Sequence, residues 1–105
     1  MLTYRGPSGQ LDDQTKHYSF EEVCELVRSL SVPDTTLITT LPCGTGLDFH
    51  AEADGHVWLE FYADGLHAAT VTPEVAARVF ERAFFLGSLT NPKVEFSDVI
   101  SIWDY

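Results

Sequence analysis

Lysine and arginine are scarce in this chain: 6 of them stand against 16 Asp and Glu, giving a formal net charge of -10. A nucleic-acid-binding surface neutralises phosphates with Lys and Arg, so the deficit argues against direct nucleic-acid binding. Long apolar runs are missing as well. The uncharged stretches 29–33 and 35–47 fall far short of the roughly 18 apolar residues of a membrane span, so a soluble protein is expected. Cysteine is limited to Cys24 and Cys43, which form neither a CxxC pair nor part of a zinc set of about four ligands; both are expected to be free thiols. Met1 to Gln10 contains no apolar run behind a basic stretch, and without a visible signal peptide a cytoplasmic protein is expected. The segment Pro42-Cys43-Gly44-Thr45-Gly46 lacks the Lys and Ser or Thr of a phosphate-binding loop and reads as a strand connection. No GxSxG, HExxH or kinase-like motif is present, and the chain is not expected to be an enzyme.

What is present is an ordinary globular composition, 45% apolar and 21% charged, with seven Phe, four Tyr and two Trp. A chain of 105 residues suits one domain, 1–105, that removes about 60 to 65% of its unfolded surface from water. The charge is unevenly placed. Between Arg28 and Arg78 there is no basic residue, while Asp34, Asp48, Glu52, Asp54, Glu60, Asp64 and Glu74 all lie there. Such a field speeds encounter with basic proteins and repels phosphates and anionic membranes, although solubility alone is also served by it.

Residues 1–16 are polar, hold Gly6, Pro7 and Gly9, show no periodicity, and read as an irregular arm with room for a short strand. Ser19 and Glu22 then form a capping box, and Phe20, Val23, Cys24, Val27 and Leu30 recur at helical spacing over about three turns. After Pro33, the Thr, Ile and Leu of Thr35 to Leu41 suit a strand. Ala53-Asp54-Gly55 and Ala63-Asp64-Gly65 punctuate three further strands, Leu47–Glu52, His56–Tyr62 and Leu66–Val71, and Asp-Gly is expected to make two-residue hairpin turns. Thr72 caps a second helix with Pro73 at its first position, an apolar stripe of Val75, Ala76, Val79, Phe80, Ala83 and Phe84, a Glu74–Arg78 pair at i,i+4, and Gly87 as its stop. Asn91-Pro92 reads as a turn, Lys93–Phe96 as a short strand, and Ile100–Trp103 as a last strand or docked tail. The expected fold is α+β: an antiparallel sheet of about five strands, with a central three-strand meander and two helices packed on one face.

Alternation places Leu47, Phe49, Ala51, Val57, Leu59 and Phe61 on the covered face, and Asp48, His50, Glu52, Trp58, Glu60 and Tyr62 on the other. His50, His56 and His67 near Asp48 and Glu60 invite a metal or acid–base reading, but their spacing is unspecific and neither metal nor cofactor is expected. The other feature of that face is Trp58 and Tyr62, two aromatics ringed by Asp48, Glu52 and Glu60. Aromatics supply buried contact area and carboxylates pair with Lys or Arg, the combination an interface for a basic protein uses. The competing reading is that the arm, or Ile102 and Trp103, covers this face.

The order of elements, with Val71-Thr72-Pro73-Glu74-Val75 leading into a helix that closes Phe84-Phe85-Leu86-Gly87 and continues through Pro92 to Phe96, resembles the Imm1 family of bacterial immunity proteins. The similarity spans about residues 18 to 97, and Phe96 stands where the family pattern has Trp. The resemblance implies an α+β protein that neutralises a cognate toxin of a polymorphic or contact-dependent inhibition system, often a nuclease or nucleic-acid deaminase. It transfers no binding residues, since Phe84, Phe85 and Phe96 read as core. Together with the charge, it leads to the expectation of a monomeric cytoplasmic antitoxin that binds a basic toxin domain through Asp48, Glu52, Trp58, Glu60 and Tyr62. The alternative is an acidic type III secretion chaperone, dimeric and holding an effector segment.

Overall fold

The computed structural model describes residues 2–5, 18–41, 46–62, 65–86, 91–101 and 103–104. The chain runs β1 (Leu2–Arg5), α1 (Phe20–Arg28), β2 (Thr36–Thr40), β3 (Gly46–Ala51), β4 (Val57–Tyr62), β5 (Leu66–Val71), α2 (Pro73–Leu86), α3 (Pro92–Glu95) and β6 (Trp103–Asp104). All six strands among the described residues belong to one antiparallel sheet whose spatial order is the order of the sequence, β1-β2-β3-β4-β5-β6. The α+β class and the central meander are as the sequence implies. The sheet exceeds the expected five strands because Leu2–Arg5, within the expected arm, pairs with β2, and Trp103–Asp104 pairs with β5.

Local chemistry sets the helix starts. Ser19 Oγ accepts from the Glu22 N–H at 3.1 Å while Glu22 Oε1 accepts from the Ser19 N–H at 3.2 Å, which satisfies two of the otherwise orphaned donors of α1. Thr72 Oγ1 accepts from the Val75 N–H at 3.2 Å at the head of α2, where Pro73 has no N–H to satisfy. The expected Glu74–Arg78 pair is replaced: Glu74 lies 3.5 Å from Arg28 Nε and so joins the first turn of α2 to the last turn of α1. The expected stop at Gly87 lies outside the described residues.

The two hairpins differ from expectation in one respect. Glu52 N–H donates to the His56 carbonyl at 2.8 Å and Gly55 N–H to the Glu52 carbonyl at 3.2 Å, so the first loop has three residues, Ala53-Asp54-Gly55. Only its last residue carries positive φ, +90° at Gly55, the arrangement of a type I turn followed by a left-handed glycine. Asp54 Oδ1 accepts from the His56 N–H at 3.0 Å and closes the loop from inside. The register pair Tyr62–Leu66 encloses a second loop of the same length, ending at Gly65 with φ +106°.

Both helices cover one face of the sheet. Val23, Cys24, Val27 and Leu30 of the α1 segment and Ala76, Ala77, Val79, Phe80 and Ala83 of α2 join Leu37, Leu47, Phe49, Leu59 and Phe61 in one buried cluster. Phe20 wedges between the helices, its ring 4.8 Å from Phe84 and 5.9 Å from Phe80. Thr39 faces this core too, and its hydroxyl donates to the Leu47 carbonyl at 2.5 Å, as a buried polar group must. Cys24 is a buried free thiol; Cys43 lies outside the described residues.

The segment after α2 corrects two readings. Pro92–Glu95 is one turn of helix, not a strand: Glu95 and Phe96 donate N–H bonds to the Asn91 and Pro92 carbonyls at 2.9 and 3.1 Å. Phe96 is fully buried with its ring 5.2 Å from Phe61. Arg82 fastens the segment by pairing with both oxygens of Asp98, at 2.6 and 3.1 Å, and by donating to the Glu95 carbonyl at 3.2 Å. Phe85, expected in the core, is 70% exposed because it lies on the outer side of α2, where its ring meets only Phe20 and Phe84 among the aromatic rings of the described residues, at 5.1 and 5.7 Å and at steep angles.

Candidate functional site

The sheet face away from the helices carries the residues singled out from the sequence. Trp58, Glu60 and Tyr62 are at i, i+2 and i+4 along β4 and so share that face. They are bonded into a row. Trp58 Nε1–H donates to Glu60 Oε1 at 2.9 Å and the Tyr62 hydroxyl donates to Glu60 Oε2 at 2.5 Å, so each carboxylate oxygen of Glu60 is held by an aromatic neighbour. These charge-assisted bonds fix a side chain that would otherwise be free to turn. They also hold the Tyr62 hydroxyl well above the ordinary phenol range, with burial and the charge of Asp48 adding to the effect.

Asp48 on β3 is the direct register partner of Glu60 on β4. Partial burial, reinforced by the facing Glu60 charge, pushes the Asp48 carboxyl up to about 6, against weaker opposing contributions from the Tyr62 hydroxyl and the Thr39 backbone. Gly46 opens β3 opposite Tyr62, and its lack of a side chain matters: a Cβ there would stand 3.1 Å from Tyr62 Cδ2. The tyrosine ring therefore lies across the glycine.

One row further along, Thr36, His50 and Trp58 are successive register partners on β2, β3 and β4. Thr36 Oγ1 and His50 Nδ1 are 2.8 Å apart, and His50 Nε2 is 3.9 Å from Asp34 Oδ1. Hydroxyl, imidazole and carboxylate in that order invite comparison with an acyl-transfer triad, which also requires a buried orienting carboxylate and an oxyanion hole. Asp34 is 82% exposed by side chain, and Thr36 lies within a strand paired on both sides. The contact is a cross-strand hydrogen bond that holds the histidine ring in place.

Thr36, Asp48, His50, Trp58 and Glu60 together line a shallow depression of about 300 Å³ over β2, β3 and β4. Among the described residues its charged lining is two carboxylates with no lysine or arginine. Its chemistry is that of a cation seat: two acceptors side by side, an aromatic wall, and one carboxyl that changes charge near neutral pH. No family model, curated protein or solved structure matches the chain.

Four of the five residues expected to bind a partner, Asp48, Trp58, Glu60 and Tyr62, thus form one connected array. Glu52 does not join it; it sits just past β3, where its backbone closes the first hairpin loop. The histidines do not converge. His50 faces the depression, His56 pairs with Asp54 in the hairpin loop at 3.2 Å, and His67 is the register partner of Phe61, on the side of the core. Among the described residues no three His, Cys, Asp or Glu side chains are placed to hold a metal ion. Thr36 is the lining residue that sequence reasoning missed. The outward alternation of β2 was readable, but which residue of β3 it would meet was not.

On this face Ala68 is fully buried, Asp48, His50, Trp58 and Glu60 are half-buried, and Tyr62 is 46% exposed. Most of the arm and Ile102 lie outside the described residues. Among the described residues, no helix is long and apolar enough to cross a membrane.

Proposed function

We propose that this chain is a cytoplasmic immunity protein that neutralises a cognate, nucleic-acid-directed bacterial toxin by tight, non-catalytic binding of the toxin's basic surface. The observation that carries the reading is the Trp58–Glu60–Tyr62 row facing Asp48 on the side of the sheet away from the helices. A toxin that acts on nucleic acid must present a positive surface to phosphate, and an acidic, aromatic face on a protein of net charge -10 is complementary to it. The same charge disfavours nucleic acid itself as the ligand. Binding is expected between one copy of each protein, with Trp58 as anchor and Asp48 and Glu60 paired to Lys or Arg of the toxin.

The test is capture from the native host with the full chain as bait, at low and at high salt. One basic domain at one-to-one stoichiometry, recovered less well as salt rises, supports the reading. With that partner in hand, Trp58→Ala should weaken binding by about 2 kcal/mol or more, as loss of an interface anchor does. An unchanged affinity in a folded Trp58→Ala variant removes this face from the interaction. The exposure of Phe85, Leu86 and Val94 favours a second reading, an acidic secretion chaperone, which would instead be captured as a homodimer on an extended effector segment.

A further inference from the structure

The depression over β2, β3 and β4 has a more specific shape than an acidic patch requires. Glu60 is held in one orientation, because Trp58 and Tyr62 donate to both of its oxygens from within the same strand. Asp48, one strand away in direct register, is destabilised as a carboxylate by burial and by Glu60. A positive group set between the two would relieve that penalty, so the site is short of one charge rather than merely negative.

The dimensions select the occupant. About 300 Å³ is the low end of the range for ligand pockets and suits a single side chain better than an extended small molecule. Among the described residues the donor set for a metal ion is lacking. His50, on the rim, is oriented by Thr36 on one side and lies toward Asp34 on the other. A lysine ammonium is compact and strongly hydrated, and it would give up much of its water in a half-closed hollow. A guanidinium is planar and weakly hydrated, reaches two carboxylates at once, and lies well against an indole wall.

We infer that the hollow lined by Thr36, Asp48, His50, Trp58 and Glu60 seats one arginine side chain of the basic partner. The inference rests on the reading above, that this face is the partner surface, and adds to it the chemical identity of the central contact.

The test needs no knowledge of the partner. The isotopically labelled full chain is titrated at pH 7.5 and low salt with N-acetyl-arginine amide and, separately, with N-acetyl-lysine amide. The assigned Trp58 indole N–H and the backbone amides of Asp48 and Glu60 are followed by NMR. The arginine probe should shift these signals along a saturating curve, at a midpoint about threefold or more below that of the lysine probe. Asp48→Asn, close to isosteric on an intact strand, should raise the arginine midpoint about tenfold, as loss of a charged hydrogen-bond partner does. Glu81→Gln, which removes the same charge from the outer side of α2, should leave it within about twofold. Equal midpoints for the two probes, or shifts confined to signals elsewhere, overturn the arginine seat. Neither result touches the broader reading, which stands or falls on capture of the partner by the parent chain and by Trp58→Ala.

Discussion

Asp48 and Glu60 face each other across the β3–β4 ladder as a register pair, two carboxylates where a sheet ordinarily places opposite charges or apolar side chains. Like charges directly opposite one another destabilise a sheet. The cost here is contained in two ways: Trp58 and Tyr62 stabilise the Glu60 carboxylate, and Asp48 keeps its proton up to about pH 6.

The pH dependence follows from that pair. Asp48 is raised from 3.8 to about 6, so between these values the folded chain holds a proton that the unfolded chain has released. Stability contributed by this group is full below the unfolded value and is lost as pH rises through about 6. Asp48→Asn removes the loss: it should be about 1–2 kcal/mol more stable than the parent at pH 8, with solvent screening already allowed for, and should show little advantage at pH 3.5. Denaturant titrations of both proteins at a series of pH values give the difference directly, and a constant difference across the range contradicts the assignment.

Gly46 offers a test in which the sign of the effect is the result. Replacing a strand glycine by alanine ordinarily stabilises by about 0.5–1 kcal/mol. Here the new methyl would meet the Tyr62 ring at 3.1 Å, and that ring is tied through its hydroxyl to Glu60. Gly46→Ala should therefore cost about 1 kcal/mol, the worth of the displaced hydrogen bond. In a Tyr62→Ala background the same change should turn favourable.

Phe96 and Val94 are neighbours in one helical turn with opposite fates, 0% and 67% exposed. Phe96→Ala would empty the space against Phe61 and should destabilise by about 3–5 kcal/mol. Val94→Ala should stay within about 0.5 kcal/mol of the parent. Thermal unfolding of the two variants distinguishes the docked turn seen here from the short strand suggested by the sequence, in which both would sit on one face.

Ser19 and Glu22 act as a reciprocal pair at the head of α1. Ser19→Ala should cost about 1 kcal/mol. Glu22→Ala added to it should cost less than it does alone, because each bond belongs to the same cap. A double-mutant cycle by chemical denaturation measures that coupling.

What could be read from the sequence was local. The α1 cap, Pro73 at the start of α2 and the glycines ending both hairpin loops each act within four or five residues, and each marks the boundary it should. Alternation along β4 put Trp58, Glu60 and Tyr62 on one face, which is the candidate site in outline. The pairing of Asp48 with Glu60, and of Thr36 with His50, depends on strand register, and the elevated Asp48 carboxyl depends on burial; neither is encoded over so short a span. Residues 92–96 misled because Val94 and Phe96 alternate like a strand, while the feature that decides the matter is Pro92 at the first position of a single helical turn. Phe85 misled because an aromatic pair at a helix end need not face inward on both members.

A sheet whose spatial order repeats its order along the chain can be assembled without waiting for distant segments. β3, β4 and β5 are joined through loops of three residues, and closing so short a loop costs little entropy compared with bringing α1 or β6 into place. The central hairpins, and with them the row of Trp58, Glu60 and Tyr62, should acquire hydrogen-exchange protection early in refolding. If so, the surface proposed to meet a partner is among the first parts of the molecule to exist, and a nascent chain would offer it before the helices have finished closing the opposite face. Pulse labelling that finds α1 and α2 protected before β3–β5 would reverse this order.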